Sequence, residues 1–366
     1  MCKACSQVGL PKEALDTPAL WVDLDIMERN IQVLADFFRR SGVGWRPHMK
    51  GIKVPAIAHK LLRAGAHGVT CAKLGEAEVL AAAGIRDILV ANQVVGEQKV
   101  RRLVYLRKTA DVMVAVDSLE NAQEISRAAQ EAGVQVRVLV EVNTGMNRCG
   151  VEPGEAGVRF AGQVAELPGL RFTGFMSWEG HVVAIPDAEE KRRVCTESVG
   201  KLVRTAEMAR QAGLPVDIVS CGGSGSYWIT AGIPGVTEIQ AGGAVFTDVT
   251  YRRWGVPLEP SLFLLTTVIS RPTATRAVCD AGRKAMDNVV STPEVVGVPG
   301  ARVGVLSAEH GILELAGPEV PLRVGDKVDL IVGYGDLTVY KHDYLYGVRN
   351  GIVEAQWEVM PRSALR

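Results

Sequence analysis

Over 366 residues, 41 Lys and Arg balance 41 Asp and Glu, so neither nucleic acid nor an acidic membrane surface is an implied partner. A hydrophobic content of 47% is enough for a large core in about two domains, while no apolar run approaches the ~18 residues that span a bilayer. The opening Met1-Cys2-Lys3-Ala4-Cys5 lacks the apolar stretch of a signal peptide, and the expectation is a cytoplasmic protein with seven reduced cysteines. Cys2 and Cys5 have no second pair to complete a zinc site and read as a disordered terminus.

An early strand, Ala19 to Leu24, precedes alternating short apolar strands and amphipathic helices. The strands are expected over Gly44 to His48, Gly68 to Ala72, Asp87 to Asn92, Asp111 to Val116, Gln135 to Asn143, Arg171 to Trp178, Val216 to Cys221 and Thr237 to Phe246. Helices such as Val54 to Ala64, Leu74 to Ala83, Ser118 to Ala132 and Asp187 to Ala212 lie between them, with Gly133 and Gly213 placed as left-handed caps. Eight strand–helix repeats in roughly 200 residues predict a parallel (β/α)8 TIM-like barrel, an open doubly wound sheet being the alternative. Beyond Pro260 the texture changes. Leu262 to Ser270, Arg302 to Leu306, Lys327 to Val332 and Leu345 to Val353 are short β-rich runs between Gly, Pro and Asp turns, which predicts a C-terminal antiparallel β domain. The plan is then residues 1–25 as a segment pairing with that domain, 26–255 as the barrel and 256–366 as the β domain.

In a barrel, chemistry gathers at the carboxyl ends of the strands. The first expected strand runs through Arg46-Pro47-His48-Met49-Lys50, and residues two apart on a strand share a face, so His48 and Lys50 are expected to point together. A lysine there can hold an aldehyde cofactor as a Schiff base, although taken alone it reads first as a solvated strand end. After the seventh strand comes Gly222-Gly223-Ser224-Gly225-Ser226, and after the eighth Gly242-Gly243. Such loops let backbone N–H groups approach a phosphate without obstruction by Cβ.

Thr17-Pro18 with Val22-Asp23-Leu24-Asp25, Arg46 to Lys50, Cys71 to Glu78, Asn147 to Val151, Glu179-Gly180-His181, Ser220 to Tyr227 and His342-Asp343 together resemble one family. It is the D-threonine aldolase and D-serine dehydratase family of fold type III, alanine racemase-like, pyridoxal 5'-phosphate enzymes, and the motifs run from about residue 17 to 358. The resemblance implies that Lys50 carries the cofactor, that Arg148 lies near its phenolic oxygen, and that Gly222, Gly223, Ser224, Gly225, Ser226 and Tyr227, with Gly242 and Gly243, hold its phosphate. It places His181 near the substrate β-carbon as general base, His181 otherwise being a strand-end histidine satisfied by a carbonyl. Arg148 could equally cap a helix or pair with an acidic neighbour. A small amino acid is the implied substrate, and a homodimer is common for this fold.

The activity implied is cleavage, or formation, of D-β-hydroxy-α-amino acids such as D-threonine to or from glycine and an aldehyde. The alternatives are dehydration of D-serine or 3-hydroxyaspartate, racemisation, and a non-catalytic carrier of the cofactor. A carrier is disfavoured by the β domain, and a racemase lacks an identifiable second proton donor. The family's metal-binding stretch reads His-x-Cys or His-x-Asp, and here Tyr334 stands in place of the histidine while Asp336 keeps the carboxylate. A phenol is a poor ligand for a divalent metal such as Mn, Mg or Zn unless ionised, so a metal held by Asp336 and Tyr334 is in doubt. Ile52 replaces a second histidine after the lysine, and Gly243-Ala244 replaces Ser-Tyr.

Overall fold

The structure, a computed structural model, describes residues 6–364 and 366. Cys2 and Cys5 lie outside the described residues. The chain groups into two units: one contains Leu34–Lys50 and Pro55–Gly242 with the last residues, the other the described residues up to Val33, Gly51–Val54 and Gly243–Ser363.

Strand β1 (Ala19–Asp23) belongs to the second unit; β2 (Gly44–Trp45), β3 (Val69–Cys71), β4 (Asp87–Gln93), β5 (Asp111–Val116), β6 (Val136–Glu141), β7 (Leu170–Met176), β8 (Ile218–Cys221) and β9 (Glu238–Ile239) form one parallel sheet. Its order is β2-β9-β8-β7-β6-β5-β4-β3. The edges meet where His48 bridges Thr70, with the Thr70 N–H donating to Pro47 O at 2.9 Å and the His67 N–H to Trp45 O at 3.1 Å, which closes the sheet as a TIM-like barrel. Leu89, Met113, Ala115, Leu139 and Met176 pack together in one buried cluster, as inward residues of neighbouring strands do in a filled barrel. The helix Leu119–Ala132 starts on the Ser118 hydroxyl, which accepts the Asn121 N–H, and ends on Gly133 at φ 65°.

At the amino ends of the strands, buried Arg46 donates through Nε to Glu238 (3.0 Å) and through Nη1 to Asp87 (2.8 Å). Arg137 adds ion pairs to Asp87 (3.1 Å) and Asp111 (2.7 Å), and His67 Nε2 lies 2.9 Å from Glu238. Glu238 is held down at about 2: burial alone would raise it, but Arg46 and His67 outweigh that.

Two expected barrel strands are reduced to two residues each. The first is regular only over Gly44–Trp45, because Pro47 offers no N–H to the ladder. Lys50 therefore stands not on the strand but in the 3-10 turn Met49–Gly51, its N–H 3.3 Å from His48 Nδ1. The eighth, expected to reach Phe246, is only Glu238–Ile239. Beyond it the backbone passes so close to His48 that a Cβ on Gly242 would lie 2.0 Å from the His48 carbonyl oxygen, and the chain then turns at Gly243–Val245.

The second unit holds β10 (Leu262–Thr273), β11 (Arg276–Cys279), β12 (Glu294–Val295), β13 (Ala301–Leu306), β14 (Gly311–Leu315), β15 (Lys327–Ile331), β16 (Tyr344–Arg349) and β17 (Ile352–Glu358), joined by β1. β1 pairs antiparallel to β10 and parallel to β16, so the sheet is mixed rather than purely antiparallel. Leu15, Ala19, Trp21, Leu265, Val348 and Val353 form its core, with the Trp21 and Phe263 rings stacked at 4.6 Å. The single strand expected over Leu345 to Val353 is a hairpin. Asn350 (φ 49°) and Gly351 (φ 74°) make its two-residue turn, the left-handed pair that matches strand twist. No helix among the described residues is long and apolar enough to cross a membrane.

Candidate active site

The carboxyl ends of the barrel strands gather the polar residues singled out in the sequence. Lys50 follows the first, half-buried. Glu141 at the end of β6, Asn143, Thr144, Arg148 and Cys149 after it, and Trp178 after β7 line a cleft. Glu141 is buried, takes a hydrogen bond from Gln93 Nε2 at 2.6 Å and faces Arg148 Nη2 at 3.5 Å; burial raises its pKa from the ordinary carboxylate value, opposed by Gln93 and Arg148. Of the readings open for Arg148, the pairing with an acidic neighbour is the one present, and the following helix Glu155–Ala165 begins on Gly154. Asp117, Glu141 and Cys149 place their ligand atoms within 4.8 Å of one another, but Arg148 already supplies a cation to this group.

Glu179, fully buried after β7, shapes the glycine loop. It accepts the Ser226 hydroxyl at 2.6 Å and the Gly222 N–H at 3.2 Å, while Ser226 Oγ also receives the Gly223 N–H at 3.2 Å. The hydroxyl of Ser226 and the N–H groups of Gly222 and Gly223 are thus engaged by Glu179 and by Ser226 itself. A Cβ on Gly223 would lie 2.5 Å from the Trp178 ring, so the loop needs glycine there to pass beneath that ring. Tyr227 begins the short helix Tyr227–Thr230, its ring edge-on to Phe37 at 4.9 Å, and burial pushes its phenol up to about 12.

His181 lies in the turn Gly180–Val182, exposed, with Nε2 3.1 Å from Ser198 Oγ and its ring beside Gly145. Partial burial, then the nearby Lys201 charge, lower its affinity for a proton, which keeps the imidazole neutral at pH 7. Its partner is the Ser198 hydroxyl and not the backbone carbonyl expected of a strand-end histidine.

Whether these residues suit a polar cofactor can be read from the buried hydroxyls. Ser177 Oγ, at the end of β7, and Thr144 Oγ1, in the cleft, are buried without a hydrogen-bond partner, which costs free energy that a bound polar group would recover. Those orphans, the glycine loop and Lys50 on one end of one barrel fit pyridoxal phosphate. Ser177 was not singled out from sequence, whereas Gln93 and Glu179 carried only the signal of polar residues at strand carboxyl ends, Glu179 within the Glu-Gly-His triplet.

Gly243, Tyr334 and Asp336 belong to the second unit. Tyr334 Oη donates to Asp336 Oδ2 at 3.0 Å, and Tyr251 Oη to Asp336 Oδ1 at 3.3 Å. Burial first, then Asp336, push the Tyr334 phenol far above its ordinary value, so it stays protonated. Asp248, buried, accepts the N–H groups of Gly335 (2.6 Å) and Tyr251 (2.8 Å). His342 Nε2 lies 2.6 Å from the Ala285 carbonyl oxygen, and His310 is exposed.

The family described as "Alanine racemase, N-terminal domain" matches residues 22–249, and a "Putative serine dehydratase domain" matches residues 261–348. A D-threonine aldolase from Arthrobacter sp is 37% identical over 99% of this chain and 96% of its own length. A 3-hydroxy-D-aspartate aldolase from Paracoccus denitrificans (strain Pd 1222) is 34% identical over 97% and 94%. The crystal structure of D-threonine aldolase from Filomicrobium marinum superposes with a TM-score of 0.96 at 36% identity, covering 99% of this chain and 100% of that one.

Proposed function

The chain belongs to the alanine racemase-like family of D-threonine aldolases and D-serine dehydratases, and we propose that it is a carbon–carbon lyase acting on D-β-hydroxy-α-amino acids, with pyridoxal phosphate as cofactor. The observation that carries this reading is the near full-length identity to D-threonine aldolase across a closed barrel whose first strand leads directly to Lys50. The relatives differ in the side chain named for them, methyl in one and carboxylate in the other, so the proposal stops at the β-hydroxy amino acid class.

Lys50 would hold the cofactor's aldehyde carbon, Arg148 would stand beside its phenolic oxygen, and the loop Gly222 to Tyr227 with Gly242 and Gly243 would surround its phosphate. Pyridoxal phosphate, when bound, supplies an electron sink for the pair released as Cα–Cβ breaks. The chain's own part is to place and move protons. Neutral His181 takes the proton of the β-hydroxyl, which lets that oxygen become the aldehyde carbonyl. Lys50, once displaced, would deliver a proton to Cα from its protonated amine and so become the free amine, after which glycine can leave. Glu179 keeps the loop in shape by tying Gly222 to Ser226. Arg148 is oriented by its pairing with buried Glu141.

Borohydride reduction of the yellow holoenzyme followed by peptide mapping tests the placement. Label on Lys50 supports it. Label on Lys53, Lys60 or Lys73 removes the basis of the site.

A further inference from the structure

We propose that Tyr251, Asp336 and Tyr334 form a phenol–carboxylate–phenol cluster that stands in place of a divalent-metal site, and that Asp336 positions two phenols instead of ligating an ion. This goes beyond the proposed activity, which does not depend on it.

The donor set does not suit a metal. Each oxygen of Asp336 takes one phenolic O–H, Oδ2 from Tyr334 and Oδ1 from Tyr251. A cation at the carboxylate would have to displace both protons' hydrogen bonds and would find neutral phenols as its next donors, where divalent ions want ionised oxygen, imidazole or thiolate. His342 is turned to the Ala285 carbonyl.

The surroundings are built for this cluster. A Cβ on Gly51 would lie 2.1 Å from Asp336 Oδ1, so the carboxylate rests directly on the backbone of the residue that follows Lys50 in the chain. A Cβ on Gly243 would lie 2.2 Å from Tyr251 Oη, so the phenol fills the space that a side chain at 243 would take. Asp248 fixes both partners from below, holding the Gly335 and Tyr251 N–H groups. The rings of Tyr251, Trp254 and Tyr334 pack in mutual contact at 5.4 to 5.8 Å, which holds the two phenols against swinging aside for an ion. Tyrosine at 334, tyrosine at 251 and glycine at 51 and 243 are thus one matched set of side-chain choices.

The test is equilibrium dialysis of the chelator-stripped holoenzyme against Mn²⁺, read by metal analysis, for the parent chain, Asp336→Asn and Tyr334→His. Folding is checked by circular dichroism. The expected result is that the parent and Asp336→Asn retain the same Mn²⁺, any residual ion lying elsewhere. If the parent retains about one ion per chain that Asp336→Asn loses, the proposal is overturned. Should Asp336→Asn not fold, Tyr334→His decides: a gain of about one ion over the parent supports the cluster reading, since imidazole and carboxylate then form a competent pair, whereas a parent that itself retains about one ion per chain, with no gain in Tyr334→His, overturns it. The readout is ion content, so failure of the aldolase reading would leave it interpretable.

Discussion

Glu179 accepts the hydroxyl of Ser226 across 47 residues of sequence, at 2.6 Å and wholly out of solvent, and so ties the end of β7 to the glycine loop after β8. Its other oxygen takes the Gly222 N–H. In Glu179→Gln one of these acceptors becomes a donor, and leaving a buried hydrogen-bonding group unsatisfied costs roughly 1–3 kcal/mol. Cofactor affinity should fall roughly 10- to 100-fold, since each 1.4 kcal/mol is tenfold. Absorbance titration with pyridoxal phosphate measures this, and an unchanged Kd would show that the loop holds its shape without Glu179.

Ser177 gives a contrasting case. Its buried hydroxyl has no partner, so Ser177→Ala in the cofactor-free protein should cost no stability and gain up to about 1 kcal/mol. Cofactor affinity should nevertheless drop. Denaturant unfolding of the apo-protein beside a binding titration checks both, and a stability loss with unaltered binding would place Ser177 outside the site.

His181→Ala should slow turnover roughly 10²–10⁴-fold with the cofactor still bound. The imidazole is pushed below its ordinary ~6.5 by partial burial and Lys201, so the neutral base is already formed at pH 7 and the rate should fall only on the acid side of that value. Lys201→Ala removes one of the two lowering causes and should move the acid limb of kcat/KM upward. A profile indifferent to Lys201→Ala, in an enzyme whose rate also survives His181→Ala, would assign the proton transfer to another group.

At the opposite end of the barrel, Glu238→Gln leaves buried Arg46 with Asp87 alone. Breaking a buried pair from one side costs about 3–5 kcal/mol. Because the folded value of Glu238 is about 2, below the usual carboxylate range, its contribution is fully present above the unfolded value of ~4.3 and disappears as pH falls through about 2. The stability gap between parent and variant, followed by chemical denaturation, should therefore be constant from neutral pH to ~4.5 and close below it. A gap that widens on acidification would contradict this sign.

The barrel was legible because its strands are dense apolar runs: Asp111 to Val116 in the sequence is the strand observed. Ser118 and Gly133 likewise marked a helix by local chemistry alone. What escaped depended on distant neighbours. The last barrel strand ends early because the chain at Gly242 passes against His48, nearly 200 residues away. β1 makes the second sheet mixed only because β16 arrives beside it from the far end of the chain. The hairpin at Asn350-Gly351 did carry a local turn signal, overridden by the apolar residues on both sides. In the site, Lys50, Arg148, His181 and the glycine loop were visible as motif residues, whereas Tyr251 belongs to no motif and gains meaning only through Asp336.

The most direct test of the aldolase reading is to incubate the holoenzyme separately with D-threonine and L-threonine and identify the products. Glycine and acetaldehyde from the D-isomer, with the L-isomer untouched, is the expected result. Formation of 2-oxobutyrate and ammonia, or turnover of the L-isomer alone, would contradict it.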